Sequence, residues 1–97
     1  MKQPAVYMMV SGRHGTIYTG LSSNLPQRAW QHREEVVPGF TKKYHCKILA
    51  WFEAHPDMNA AIFREKQIKN YSRAKKIALI ESMNPDWRDL FADIAQG

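Results

Sequence analysis

Residues 5–21 read AVYMMVSGRHGTIYTGL, two β-rich runs joined by a segment that contains two glycines. Runs of this composition predict strands near residues 5–11 and 15–21, and the glycines supply the freedom that a hairpin turn needs. We expect an antiparallel hairpin whose register places Tyr7 directly opposite Tyr18 on one face of the sheet. Two phenols would then lie side by side.

The segment after the hairpin predicts a helix. Residues 22–24 offer side-chain oxygens for an N-cap, Pro26 suits the first helical turn, and residues 27–36 contain neither glycine nor proline. A Pro-Gly pair then ends the helix, and residues 40–45 read as a basic loop in which lysines and aromatic residues interleave.

The second half of the chain predicts one more strand and three helices. Residues 47–53 read KILAWFE, an apolar run short enough for a strand at the centre of the sheet, covered on both faces. Helices are predicted over residues 58–71 and 74–82, and from the Asn84-Pro85 pair through Phe91. This order predicts a small α/β domain of the α+β kind, a three-stranded antiparallel sheet flanked by helices.

Length and composition limit the class of protein. Ninety-seven residues allow one modest core but not a catalytic domain plus a recognition domain, so we expect one domain over residues 1–97 with its core at 4–92. The net charge of +5 favours an anionic partner. A single cysteine, Cys46, excludes an intrachain disulfide and, with four scattered histidines, matches no structural zinc spacing. Without a signal-peptide or transmembrane pattern, we expect a cytoplasmic protein with no membrane contact.

Three further side chains complete a candidate site. Arg28 and His32 are four residues apart on the first predicted helix, so they emerge from one face. An arginine fork suits the free oxygens of a phosphate, and an imidazole exchanges protons near neutral pH. Glu65 falls in the apolar stripe of its helix, where a lone carboxylate should reach a cation, a hydrogen-bond donor or a wet cleft. With the phenols, these groups meet the needs of phosphodiester cleavage.

The order and spacing of these residues resemble the GIY-YIG nuclease family, and over nearly the whole chain its small stand-alone bacterial members. Ala5-Val6-Tyr7 stands where the first motif is expected, and Tyr18-Thr19-Gly20 where the second is. Arg28 and His32 follow on the expected helix, and Glu65 matches the metal-binding glutamate. The first motif keeps only its tyrosine and the second has threonine for isoleucine, changes that preserve strand propensity and both phenols.

The resemblance implies a metal-dependent endonuclease that hydrolyses phosphodiester bonds in nucleic acid, with DNA favoured over RNA but the choice left open. Because the chain has no room for a recognition domain, we expect low sequence specificity. Tyr7 would help to activate a water while His32 takes up a proton. Tyr18 and Arg28 would bind the phosphate, and Glu65 would bind one divalent ion, Mg²⁺ or else Mn²⁺. Since a phenol with a pKa near ~10 is a poor base at neutral pH, we expect Arg28 and the metal to lower it.

Other residues are assigned supporting roles. Asn84 is placed at the family's late asparagine, as structural or active-site support. The nucleic-acid backbone would be followed by a set of cations: Lys42, Lys43, Arg64, Lys66, Lys69, Arg73, Lys75 and Lys76.

Structural alternatives exist for each candidate. Strand tyrosines are usually packing residues, and helical charges such as Arg28 usually lie on a solvated face. Glu65 can simply pair with Lys69, and Asn84 can simply cap the helix that Pro85 begins. The alternative function is a non-catalytic nucleic-acid-binding or protein-interaction module on the same fold. The sequence does not indicate the oligomeric state, and phenols on opposite sheet faces would exclude the enzyme.

Overall fold

The hairpin and a third strand form an antiparallel sheet, as predicted. The structure, a computed structural model, describes residues 3–95. Strand β1 (Ala5–Val10) lies at the centre, between β2 (Ile17–Ser22) and β3 (Ile48–Ala54). Every residue of β1 is buried. The prediction that the third strand occupies the centre is therefore wrong, because the apolar run of β3 is buried at a covered edge of the sheet.

The outer edge of β3 is covered by the segment that precedes the last helix. The amide of Leu49 donates to Oδ1 of Asp89, and the carbonyl of Leu49 accepts from the amide of Leu90 at 2.8 Å. The pairing of β1 with β3 skips Ala50, so this residue forms a β-bulge. A covered and bulged edge is a poor template for pairing with another strand.

Five helices occur within residues 3–95: α1 (Leu25–Arg33), α2 (Phe40–Lys43), α3 (Met58–Lys69), α4 (Arg73–Met83) and α5 (Phe91–Ile94). The side chain of Asn24 caps α1, as the Ser-Ser-Asn stretch predicted. The expected loop over residues 40–45 instead contains the short helix α2. No helix within residues 3–95 has the length and apolar character needed to cross a membrane.

The helix predicted to begin at Asn84-Pro85 is wrong. Asn84 ends α4 as its C-cap, and no helix begins between Asn84 and Phe91, where α5 starts. Trp87, inside the intervening segment, has a φ of 56°, a left-handed conformation that a helix does not accommodate. The requirement to cover the edge of β3 outweighs the local resemblance of Asn-Pro to a helix start.

Each face of the sheet carries its own core. Val6, Met8 and Val10 point toward the side on which α3 and α4 pack. Tyr7 and Met9 point to the other side, where α1 packs. This division follows from the alternation of side chains along a strand. The phenol of Tyr7 therefore faces the helix that carries Arg28 and His32.

The hairpin register differs from the predicted one by two residues. Tyr7 lies opposite Gly20, and Tyr18 lies opposite Met9. A shift of two keeps every side chain on its face, so both phenols still share one face, with ring centroids 6.3 Å apart. A Cβ at Gly20 would lie 2.7 Å from the hydroxyl of Tyr7 and 2.8 Å from a ring carbon of Tyr18. Because Gly20 has no Cβ, it leaves room for the rings of both tyrosines.

Candidate active site

A buried hydrogen bond between Tyr7 and His32 forms the centre of the site. The phenol oxygen lies 2.8 Å from Nε2 of His32, and the two residues are 2% and 3% exposed. His32 reaches this position because it shares the buried side of α1 with Leu25 and Ala29. The predicted convergence of helix and hairpin is thereby observed for this pair.

Thr41 holds the second nitrogen of the same imidazole. Its hydroxyl lies 3.0 Å from Nδ1 of His32, and Thr41 is itself buried. The imidazole is therefore fixed at both nitrogens, which sets its orientation. Sequence reasoning missed Thr41, since it lies in the segment predicted as a loop and no helical spacing links it to His32. A threonine within a basic and aromatic run is a weak signal by itself.

Tyr18 and Arg28 lie beside the central pair. The ring of Tyr18 is 5.6 Å from that of His32, and both Tyr18 and Arg28 are half-buried. None of the ion pairs within residues 3–95 involves Arg28. Burial first, and then the positive charge of Arg28, lower the pKa of His32 to about 4. An imidazole in this environment is neutral at pH 7.

The pKa of Tyr7 moves opposite to the expected direction. Burial raises it well above 10.0, and the nearby Tyr18 and Glu65 raise it further. Arg28 lowers it, as expected, but does not offset the cost of burying a phenolate. The expectation that Arg28 brings this phenol below its usual pKa is therefore wrong for the protein alone. Tyr7 and His32 form a neutral pair at neutral pH.

Glu65 lies on the buried side of α3. Its side chain is 15% exposed, and Oε2 lies 3.3 Å from the ammonium of Lys69, one turn further along. The helix packs on the other face of the sheet from Tyr7. The carboxylate is nevertheless close enough to raise the pKa of that phenol. The pairing with Lys69, which was the structural alternative for Glu65, is present. The place of Glu65 in the site stays a prediction.

The donor set around Glu65 suits one class of metal. No group of three or more His, Cys, Asp or Glu residues within residues 3–95 could hold an ion. A structural zinc site needs about four such ligands, whereas Mg²⁺ is commonly held by one or two carboxylates together with water and substrate phosphates. A single half-buried carboxylate therefore fits Mg²⁺ and does not fit zinc.

Asn84 supports the fold rather than contacting the site residues. Its Nδ2 donates to the carbonyls of Ala50, at 3.1 Å, and Arg88, at 2.8 Å, while Oδ1 accepts from the amide of Arg88. The carbonyl of Ala50 belongs to the bulge of β3. The side chain thus satisfies backbone groups that the bulge and the turn leave without sheet or helix partners.

The predicted nucleic-acid contacts fall into two groups. Arg64 donates to Glu53, Gln67 and Tyr71, and Arg73 donates to two carbonyls of the hairpin loop. These two guanidinium groups connect parts of the fold. The lysines have fewer internal contacts: Lys75 lies over the ring of Tyr71, Lys43 lies over that of Tyr44, and Lys69 pairs with Glu65. Of the six lysines in the predicted set, Lys42, Lys43, Lys66, Lys69 and Lys75 are exposed and Lys76 is half-buried.

The residues of the candidate site lie within a region that matches a known protein family. The sequence model of the GIY-YIG catalytic domain matches residues 3–78, a span that includes Tyr7, Tyr18, Arg28, His32 and Glu65. The chain belongs to the GIY-YIG family. GIY-YIG domains are generally those of endonucleases, which act on nucleic acid and use divalent metals. The resemblance predicted from the two tyrosine motifs is confirmed.

This GIY-YIG chain also has curated relatives of similar length. It is 30% identical over 81 residues to a UPF0213 protein of Staphylococcus haemolyticus. The aligned region covers 84% of this chain and 98% of the relative. It is 31% identical over 67 residues to a UPF0213 protein of Staphylococcus aureus, covering 69% of this chain and 82% of the relative. No solved structure gives a significant match.

Proposed function

We propose that this GIY-YIG protein is a cytoplasmic, Mg²⁺-dependent endonuclease, built as one domain, that hydrolyses phosphodiester bonds in DNA in preference to RNA. The observation that carries the proposal is the buried 2.8 Å hydrogen bond between Tyr7 and His32, with Arg28 beside it and unpaired by any acid of residues 3–95. Low sequence specificity follows, since a domain of this size would bind chiefly through phosphate contacts.

Arg28 and Tyr18 would receive the scissile phosphate. A guanidinium group can donate two parallel hydrogen bonds to phosphate oxygens, and a half-buried site strengthens them relative to open water. The phenol of Tyr18 can add a further donor from the sheet. Because the charge of Arg28 lowers the pKa of His32, a phosphate bound to Arg28 would offset that effect. Substrate binding would therefore make His32 a better proton acceptor.

Tyr7 and His32 would move the proton of the attacking water. With Nδ1 of His32 donating to Thr41, Nε2 is free to accept from the hydroxyl of Tyr7. The phenol oxygen can accept the water's proton while its own proton passes to Nε2, which leaves an imidazolium. A concerted transfer of this kind avoids a free phenolate, which burial makes unfavourable.

Glu65 would hold the metal. When bound there, Mg²⁺ would neutralise charge on the phosphate. The ammonium of Lys69 contacts Oε2 of Glu65.

A non-catalytic nucleic-acid-binding module is the second candidate. Two observations favour it: Glu65 already has a cationic partner, and a pKa of about 4 makes His32 a weak base. Titration with Mg²⁺ or Mn²⁺, followed by the NMR signals of Glu65 and the tyrosines, separates the two candidates. Absence of any response at millimolar ion, with nucleic-acid binding intact, would favour the module.

Cleavage assays test the enzyme directly. Protein and Mg²⁺ are incubated with a panel of duplex, single-stranded, flapped and branched DNA and RNA. We expect cutting of at least one substrate, lost in Glu65→Ala with binding near normal. The matched control is Glu34→Ala, which removes an exposed glutamate at the end of α1 and should cut like the wild type. Equal cutting by the Glu65 variant would refute the assignment.

A further inference from the structure

Two aromatic side chains beside the site have no role in the chemistry above. Phe40 begins α2 and Tyr44 follows its end, and they are 44% and 43% exposed. The ring of Phe40 lies 6.0 Å from that of Tyr18 and 4.7 Å from that of Tyr44. The rings thus form a continuous row that leads outward from the site. We call Phe40 and Tyr44 the aromatic platform.

The platform is held in a fixed position relative to the site. Thr41 is the buried residue of α2, and its hydroxyl contacts the imidazole of His32. Its carbonyl accepts from the amide of Cys46 at 2.8 Å, and a 2.6 Å bond between Glu35 and His45 joins the segments that flank the helix. A surface held in place before binding loses little conformational entropy when a ligand arrives.

The charges around the platform favour a polyanion. Lys42 and Lys43 lie in the same turn as Phe40, and the ammonium of Lys43 is 5.4 Å from the ring centroid of Tyr44. Arg28 adds a further cation from α1, one helical turn before His32, whose pKa its charge lowers in addition to burial. Aromatic faces interleaved with cations are the combination by which proteins bind single-stranded nucleic acid, since bases stack on the rings and phosphates contact the cations.

We propose that the aromatic platform stacks an unpaired base next to the phosphate held by Arg28, so that the substrate is single-stranded or locally unpaired nucleic acid. The position of that phosphate rests on the proposed function. Within a duplex each base face is already covered by its neighbours, so the rings of Phe40 and Tyr44 have no free face to contact. A single strand offers free faces, and it reaches the platform without the cost of unpairing.

Fluorescence titration tests the platform without cleavage. The parent protein is Glu65→Ala, and the probe is a single-stranded oligodeoxynucleotide that contains 2-aminopurine, whose emission falls on stacking. Its duplex with the complementary strand is measured in parallel. We expect quenching and tighter binding for the single strand. Adding Phe40→Leu and Tyr44→Leu removes the rings but keeps apolar side chains, and should abolish quenching and weaken single-strand binding at least about fivefold.

Two control variants separate stacking from other effects. Phe63→Leu removes another exposed phenylalanine, 73% exposed on α3, and should bind like the parent. Tyr44→Phe keeps the ring and should retain quenching. Unchanged quenching and affinity in the double leucine variant would overturn the proposal and leave a protein partner as the occupant of the platform. An equal loss for single strand and duplex would also overturn it.

Cleavage by the protein without the Glu65 substitution distinguishes this proposal from the proposed function. Loss of quenching in the double leucine variant, with no cleavage by any form, would support the platform and refute the endonuclease. Equal cleavage of single strand and duplex, unaffected by the double substitution, would support the endonuclease and refute the platform. Preferential cleavage of single strands that the double substitution abolishes would support both.

Discussion

Acidification should destabilise this protein through His32. In the folded state burial and Arg28 lower the pKa of His32 to about 4, against an ordinary value of 6.5. At a pH between these two values, His32 binds a proton in the unfolded chain but not in the folded protein. The contribution of His32 to the free energy of unfolding is therefore fully present above about pH 6.5, and it is lost progressively as the pH falls toward about 4.

The size of this effect follows from the same two values. Each unit of pKa difference corresponds to about 1.4 kcal/mol, so the full contribution is about 3 kcal/mol. Roughly 2 kcal/mol of it should be lost between about pH 7 and about pH 5. Because His32 is 3% exposed, solvent screening reduces the figure little. A domain of this size has a total stability of about 5–15 kcal/mol, so the loss is measurable.

Urea unfolding across this pH range provides the assay. The wild type and His32→Gln are compared, since every other titrating group is common to both and the difference in slope isolates His32. Direct NMR titration of the imidazole in the wild type gives the second measurement, which does not depend on the stability of the variant. Equal slopes in the two proteins, or an imidazole that titrates near 6.5 in the folded state, would refute the reasoning.

Three further outcomes are expected. An uncleavable oligonucleotide should raise the NMR-measured pKa of His32 by offsetting the charge of Arg28, and an unchanged value would argue against phosphate binding at Arg28. Gly20→Ala should cost about 1–3 kcal/mol in urea unfolding and slow cleavage, because its Cβ would lie 2.7 Å from the hydroxyl of Tyr7. Asn84→Ala should cost about 1–3 kcal/mol, because the bulge carbonyl loses its donor, while cleavage per folded molecule stays near wild type. A selective loss of cleavage in the Asn84 variant would contradict its structural role.

The hairpin shows which features of the site are predictable from sequence. Both phenols were predicted on one face, and they are, because any even shift of register preserves the alternation of side chains. The pairing of Tyr7 with Gly20 was not predicted. It depends on the space above the glycine, which the rings of Tyr7 and Tyr18 occupy together. Strand composition carries no information about such a three-dimensional contact.

Long-range contacts account for the other differences. The Asn84-Pro85 pair has the local pattern of a helix start, yet Asn84 bonds to the bulge of β3, 34 residues earlier in the chain. Thr41 was missed for a related reason, since its role depends on the position of His32 in the folded protein. Arg28, His32 and Glu65 could be selected as candidates because helical periodicity is local and places each side chain on a defined face.

Arg28 connects binding with proton transfer in the proposed reaction. In the free protein its positive charge adds to burial in keeping His32 neutral, and it opposes the other influences on Tyr7. A bound phosphate would offset that charge, so the imidazole would become more basic while the phenol lost one source of stabilisation for its anion. Both changes favour transfer of the phenol's proton as one concerted movement rather than through a phenolate. The same guanidinium group that binds the substrate would thus bring the Tyr7–His32 pair into its reactive state only when a phosphate is present.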